Sequence, residues 1–205
     1  MDQGPEQSGP FFFDVPAFER TGDTMIIRIA PSLALAAALA LGAVGCAPIE
    51  RTSADIVAIA NLARANGDQV GQARLTRAGD RLVLKISASG MTPGTHGLHL
   101  HSVGKSLPPE FTSAGGHLNP GGNSHGMNSA NPSHLGDLPN LEVGADGKGS
   151  ARNQLPGNSA SDLGYIFDAD GTAIVLHANA DDYRSDPTGN AGPRVACGVL
   201  RPLPG

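Results

Sequence analysis

The stretch Arg81-Leu82-Val83-Leu84-Lys85-Ile86-Ser87-Ala88 decides the fold class. Leu82, Leu84, Ile86 and Ala88 fall on one face, and Arg81, Lys85 and Ser87 on the other, together with Val83. A period of two marks a strand with one buried face. Working back along the chain, residues 69–76 repeat the pattern more weakly. Gly71, Ala73 and Leu75 are expected inward, and Gln72, Arg74 and Thr76 outward. Ala78-Gly79-Asp80 supplies the hairpin turn between the two. Residues 56–62 form an apolar run before the turn signal Asn66-Gly67-Asp68, and read as a first strand. A helix capped by Asp55 is the competing assignment there. Working forward, strands are expected at residues 97–102, 149–154, 172–178 and 195–200. Such a succession predicts an all-β, antiparallel architecture.

Composition agrees with that class. The 205 residues include 28 Gly and 16 Pro, too many chain breakers for a helix bundle or coiled coil. Two cysteines do not make a disulfide scaffold. A net charge of −5 argues against a nucleic-acid partner. From Cys46 onward the only aromatics are Phe111, Tyr165, Phe167 and Tyr183, too few to build a base-stacking platform.

The amino-terminal quarter reads differently. Residues 29–49 carry no charge, Arg28 precedes them, and Ala43-Val44-Gly45-Cys46 resembles the lipobox of bacterial lipoproteins. A basic start, an apolar stretch and small residues before a cleavage point describe an export signal. Residues 25–45 are therefore assigned as a lipoprotein-type signal, Cys46 as the lipidated residue, and 46–53 as a tether. A retained membrane anchor is the alternative, although Pro31 interrupts it. Either one places the remainder outside the cytoplasm, in the cell envelope or periplasm. Residues 1–24 fit neither element, and Met25 would begin a normal signal, so this leader is expected to be untranslated or disordered.

Between Val103 and Asn140 no periodicity survives, and a loop of that length is usually functional or disordered. Just before it, Gly97-Leu98-His99-Leu100-His101 puts two imidazoles on one strand face and two leucines on the other. The loop adds His117, His125, His134 and Asp137, the last two only three residues apart. A strand end contributes His177. Nitrogen and oxygen donors of this kind can close a tetrahedral zinc site, while imidazole suits copper equally well. A solvated polar loop would explain any one of these histidines taken alone. A loop so rich in glycine has little else to hold it, so a metal ion is expected to replace a missing core.

The ordered stretches extend further. His96-Gly97-Leu98-His99-Leu100-His101 is followed by Ser113-Ala114-Gly115-Gly116-His117-Leu118-Asn119-Pro120, His125-Gly126 and His134-Leu135-Gly136-Asp137-Leu138-Pro139-Asn140. His177 and Gly189-Asn190-Ala191-Gly192-Pro193-Arg194-Val195-Ala196-Cys197-Gly198-Val199 complete the set. With these motifs the chain resembles the copper/zinc superoxide dismutases, over residues 54–202, within a domain taken as 54–205.

The resemblance implies a Greek-key β-barrel or sandwich of eight antiparallel strands with a long metal-binding loop. It implies copper at His99, His101, His117 and His177, and zinc at His117, His125, His134 and Asp137. Asp181 would join His99 to His125, and His96 would tie loops together without binding metal. Arg194 would guide and hold superoxide, and His117 would carry a proton in its dismutation to dioxygen and hydrogen peroxide. A non-catalytic copper/zinc-binding protein of the same fold is the rival reading, and an inert β-barrel lipoprotein a third. Pairing of barrels as a homodimer stays open. One departure stands out. The family has a cysteine where this chain has Phe111, so Cys197 is expected to be a free thiol, with loop order and Arg194 placement at stake. Phe111 is expected to compensate by packing into the barrel end.

Overall fold

The computed structural model describes residues 55–130 and 132–204. The leader 1–24, the signal 25–45, Cys46 and the tether 46–53 lie outside the described residues. The strands are β1 (Asp55–Ala63), β2 (Gln69–Ala78), β3 (Arg81–Ala88), β4 (Gly94–His96), β5 (Leu98–His101), β6 (Leu141–Val143), β7 (Gly149–Gln154), β8 (Ala173–His177), β9 (Arg194–Val199) and β10 (Arg201–Pro202). Among the described residues one helix, α1 (Ser159–Ile166), and one 3₁₀ turn, Thr112–Ala114, complete the set.

All pairings are antiparallel, in the order β4-β6-β7-β3-β2-β1-β9-β8-β5, with β10 adding to β1. The two ends of that path, β4 and β5, are consecutive in the chain across Gly97, so the sheet forms a nearly closed barrel. Gly97 breaks the strand because its N–H donates to Asn179 O and its carbonyl accepts from His177 N. Its neighbours also leave no room, since a Cβ there would lie 2.8 Å from the Ala191 Cβ. Counting β4 with β5, and β9 with β10, gives the eight chain passes that the resemblance implied. Passing from β3 to β4 skips β6 and β7, which is the Greek-key crossover.

β1 is a strand and not a helix, because its alternating apolar residues pair in register with β2: Ala60 faces Ala73 and Leu62 faces Gly71. Leu62, Leu75, Leu82, Leu84, Leu98 and Leu100 are fully buried in one core. Each contributes about 2 kcal/mol by leaving water. Two residues read as outward-facing are buried as well. Thr76 and Val83 are cross-strand partners, and the Thr76 hydroxyl donates to the Val83 carbonyl at 3.1 Å. That bond satisfies the hydroxyl locally and lets both side chains be covered.

The long loop is not coreless, contrary to the expectation that metal alone would hold it. Leu118, Leu135 and Leu138 enter the main barrel core. Backbone bonds from Leu100 N to Gly136 O (2.9 Å), Leu118 N to Leu100 O (2.8 Å) and Gly136 N to Leu118 O (2.9 Å) lay the loop along β5. Gly136 permits that approach, since a Cβ would sit 2.3 Å from Leu100 O. The periodicity is absent because each leucine anchors a separate crossing instead of a strand face.

Candidate metal centre

On β5 the leucines and histidines separate as the pattern requires. Leu98 and Leu100 enter the core, and His99 and His101 face the loop. Across the sheet His99 pairs with Val175, and His101 with Ala173. His177 ends β8, opposite Arg194 at the start of β9. His117 reaches the same place through an isolated antiparallel bridge with His101, and Asp137 through one with His99. His99, His101, His117 and His177, all buried, bring one ligand atom each within 4.8 Å of one another.

The hydrogen bonds state which ring atom each histidine offers. His99 Nε2–H donates to Asp181 Oδ2 (2.8 Å), His101 Nδ1–H to Gly115 O (2.9 Å) and His177 Nδ1–H to Gly192 O (3.0 Å). Each partner can only accept, so the proton is fixed on the outer nitrogen and a lone pair is left on the inner one. The inner atoms, His99 Nδ1, His101 Nε2, His117 Nε2 and His177 Nε2, are buried with no hydrogen-bond partner. Four buried orphan lone pairs aimed together are unfavourable unless a cation joins them.

A second set shares His117. Its Nδ1 lies 2.9 Å from Asp137 Oδ1, His125 Nδ1 lies 3.1 Å from the same oxygen, and His134 Nδ1 3.2 Å. His125 Nδ1 lacks hydrogen-bond geometry despite that closeness. The other nitrogens are already committed, since His125 Nε2–H donates to Asp181 Oδ1 (2.9 Å) and His134 Nε2–H to Asn123 O (3.0 Å). The Nδ1 lone pairs of His125 and His134 therefore face a carboxylate oxygen, while His117 Nδ1–H donates to it. The edges of a tetrahedron around a cation with bonds of about 2.0 Å are about 3.3 Å long, close to these separations. Asp137 Oδ2 is occupied by the N–H groups of Gly126 (2.9 Å) and His134 (3.2 Å), which orient the carboxylate.

Asp181 spans the two sets, accepting from His99 on one oxygen and from His125 and Tyr183 N on the other. Asn140 fixes its backbone from both sides, Nδ2 donating to Asp181 O and Oδ1 accepting from Asp181 N, each at 3.0 Å. His96 lies apart from both sets, its ring nitrogens against His177 O (2.7 Å) and Thr92 O (2.8 Å), so it ties β4 to β8.

Burial, reinforced by neighbouring imidazoles, pushes His117 down to about 4 and His177 to about 3, and lowers His101 well below its usual range. All three are ready as neutral ligands at neutral pH. Burial alone would raise Asp137 and Asp181. Hydrogen bonds from His117 and Gly126 hold Asp137 below the usual carboxylate range, and bonds from His99 and His125 do the same for Asp181.

Arg194 is half-buried, and its guanidinium donates to Phe111 O and Gly115 O, both at 2.6 Å. Cys197 is buried and has no disulfide partner among the described residues. Sequence reasoning singled out every ligand. It missed the main-chain acceptors Gly115 and Gly192 and the Asn140 brace, for which the chain carries no signal beyond the glycines themselves.

The profile described as copper/zinc superoxide dismutase (SODC) matches residues 69–200. The chain belongs to the copper/zinc superoxide dismutase family. It is 39% identical over 154 residues to copper/zinc superoxide dismutase 2 of Aquifex aeolicus, covering 73% of this chain and 89% of that one. With the Caulobacter vibrioides enzyme it shares 37% over 171 residues, 82% and 98% of the two chains. Among solved structures, a SOD-like protein from Bacillus subtilis matches with a TM-score of 0.63 at 39% identity, over 70% of this chain and 97% of the other. The Brucella abortus copper/zinc superoxide dismutase matches with a TM-score of 0.59 at 29% identity, over 70% and 98%. Within this family the two donor sets are the copper site (His99, His101, His117, His177) and the zinc site (His117, His125, His134, Asp137), both intact here.

Proposed function

We propose that the chain is a superoxide dismutase anchored in the cell envelope, with Arg194 and His117 handling the substrate and its protons. Two superoxide anions and two protons give one dioxygen and one hydrogen peroxide. Copper, when bound, would supply the alternating one-electron exchange, and zinc, which His117, His125, His134 and Asp137 would hold, a fixed structural charge. The chain's own residues do the rest. Arg194, clamped by two carbonyls, keeps a positive charge next to the β8 end that carries His177, and so concentrates an anion there. His117, held neutral by burial, presents Nε2 as a site that can take up a proton and release it to reduced dioxygen.

The observation that carries this reading is the complete set of four buried, unpartnered imidazole nitrogens, each backed by an acceptor on the far side of its ring. A protein that merely retained the fold would have no reason to keep all four. The test is a dismutase assay on copper- and zinc-loaded protein beside His117→Ala. Activity lost in the variant supports the enzyme, while full copper occupancy without activity makes this a metal-holding protein instead.

The envelope location rests on residues 25–45, read as a lipoprotein signal, with Cys46 as the lipidated first residue that follows it. Fatty-acid labelling that disappears in Cys46→Ser, with release of the protein from membranes, is the expected result. Translation is proposed to start at Met25, and peptides from residues 1–20 in the unprocessed product would end that idea.

A further inference from the structure

Arg194 has no side-chain acceptor in its clamp. Both of its bonds go to main-chain carbonyls, of Phe111 and Gly115, which flank the 3₁₀ turn Thr112–Ala114. Carbonyls can aim a guanidinium only if the backbone that carries them is itself held. Phe111 has φ 54, the left-handed region, which costs a bulky residue about 1–2 kcal/mol. A side-chain interaction must offset that strain.

The ring provides it. Phe111 is 2% exposed and belongs to a small apolar cluster with Ala114, Ala173, Val175 and Cys197, separate from the barrel core. Val175 and Cys197 are cross-strand partners of β8 and β9, and Val175 is also the partner of His99. The cluster therefore sits on the sheet face that bears the copper ligands. The thiol within it is free. Among the described residues no disulfide ties the turn to the sheet, so the packed ring does.

We propose that Phe111 is a positioning residue for the dismutation. Its ring anchors the turn against Val175 and Cys197, and through its own carbonyl it sets where the Arg194 charge stands. The anchor works by packing alone and is independent of thiol redox state. This rests on the reading of Arg194 as the superoxide guide, and the experiment separates the two.

The test measures kcat/KM for superoxide against ionic strength, with metal content and the copper EPR spectrum, on the loaded protein. Phe111→Ala is expected to lower kcat/KM at low salt by roughly 10-fold, the lower end of what steering supplies. Its salt dependence should flatten towards that of Arg194→Gln, with metal content and EPR unchanged. In an Arg194→Gln background the same change should alter the rate by less than about 2-fold, because nothing is left to aim. Phe111→Leu, which keeps an apolar anchor, should restore most of the activity. Phe111→Cys, oxidised onto Cys197 as judged by loss of both thiols, should do so too. These two variants keep the question answerable if Phe111→Ala does not fold. Equal losses in both backgrounds, or an inactive Phe111→Leu and an inactive oxidised Phe111→Cys, overturn the positioning role. An Arg194→Gln protein with an unchanged salt profile removes the guide itself, a result that no Phe111 variant can produce.

Discussion

Arg194 and His101 share one acceptor: the Gly115 carbonyl takes a hydrogen bond from Arg194 Nη2 at 2.6 Å and from His101 Nδ1 at 2.9 Å. A copper ligand and the proposed substrate guide are thus registered to each other through a single oxygen. Gly115 has φ 76, and a Cβ there would lie 2.8 Å from Ser102 Oγ and 3.0 Å from Val103 Cγ2. Gly115→Ala is expected to shift the carbonyl and weaken both bonds. Charge-assisted bonds are worth about 1.5–3 kcal/mol, so activity should fall by about 10-fold or more. The copper EPR spectrum should change as well, because His101 loses its orienting partner. That distinguishes it from Phe111→Ala, and an unchanged spectrum would argue that the two bonds are independent.

Asp181 offers a second handle on the site. Oδ1 accepts two N–H groups, from His125 and Tyr183, while Oδ2 accepts one, from His99. In Asp181→Asn the amide oxygen should remain where it satisfies two donors, leaving the NH₂ facing His99 Nε2–H. Two donors then confront each other, and His99 must turn its lone pair outward, away from copper. Loss of such a partner typically costs 10–100-fold in metal affinity. Competition titrations should find copper weakened by about that factor and zinc affected less. The reverse order would mean that the amide settles the other way round.

How much of this was legible beforehand depends on the length over which a pattern acts. Arg81–Ala88 repeats long enough for its period to show, and β3 has those bounds. β4 and β6 are three residues each, too short for any period, and only pairing with each other (Thr95 opposite Glu142) makes them strands. Helix α1 went unread although Asn158 caps it, accepting from Ala160 N and Ser161 N. An Asn before Ser-Ala-Ser is a weak signal in a chain full of turns. The metal ligands were legible because imidazole and carboxylate types recur in ordered motifs. Their tautomers were not. Those are set by carbonyls of Gly115 and Gly192, and a carbonyl's direction is a property of the fold that no residue letter carries.

The metal-free protein should be acid-sensitive in a defined window. His117 and His177 are depressed to about 4 and about 3, and His101 is lowered too, against about 6.5 when unfolded. As pH falls below about 6.5 the unfolded chain takes up protons first, so folding stability drops. Each histidine held neutral costs about 1.4 kcal/mol per pH unit until its folded value is reached. Asp137 and Asp181, both depressed, add to the loss only at lower pH still. Thermal melts of chelator-treated protein should show Tm steady from pH 8 to 7, then declining through pH 6 and 5. Metal-loaded protein should start from a higher Tm and decline at least as steeply, because ligands held by metal take up no proton in the folded state. A Tm that rises on acidification of the metal-free form contradicts the assignment of these rings as buried and neutral.

Cys197 gives a direct readout of how firmly the Phe111 turn is held. The thiol is 2% exposed, and burial pushes its pKa up, against smaller opposing effects from Ser106 and Arg194. Little thiolate forms near neutral pH, and the thiolate is the reactive species. Iodoacetamide should therefore label folded protein at pH 8 far more slowly than a free cysteine and leave dismutase activity intact. In denaturant one thiol per lipidated chain should react, whereas none would react if Cys46 and Cys197 were paired. Because Phe111 and Cys197 share one cluster, reagent reaches the sulfur only when the turn lifts, so the labelling rate measures that opening. Phe111→Ala should raise the rate several-fold without changing global stability to the same degree. Equal labelling rates in the two proteins would mean that the thiol is guarded by something other than the ring.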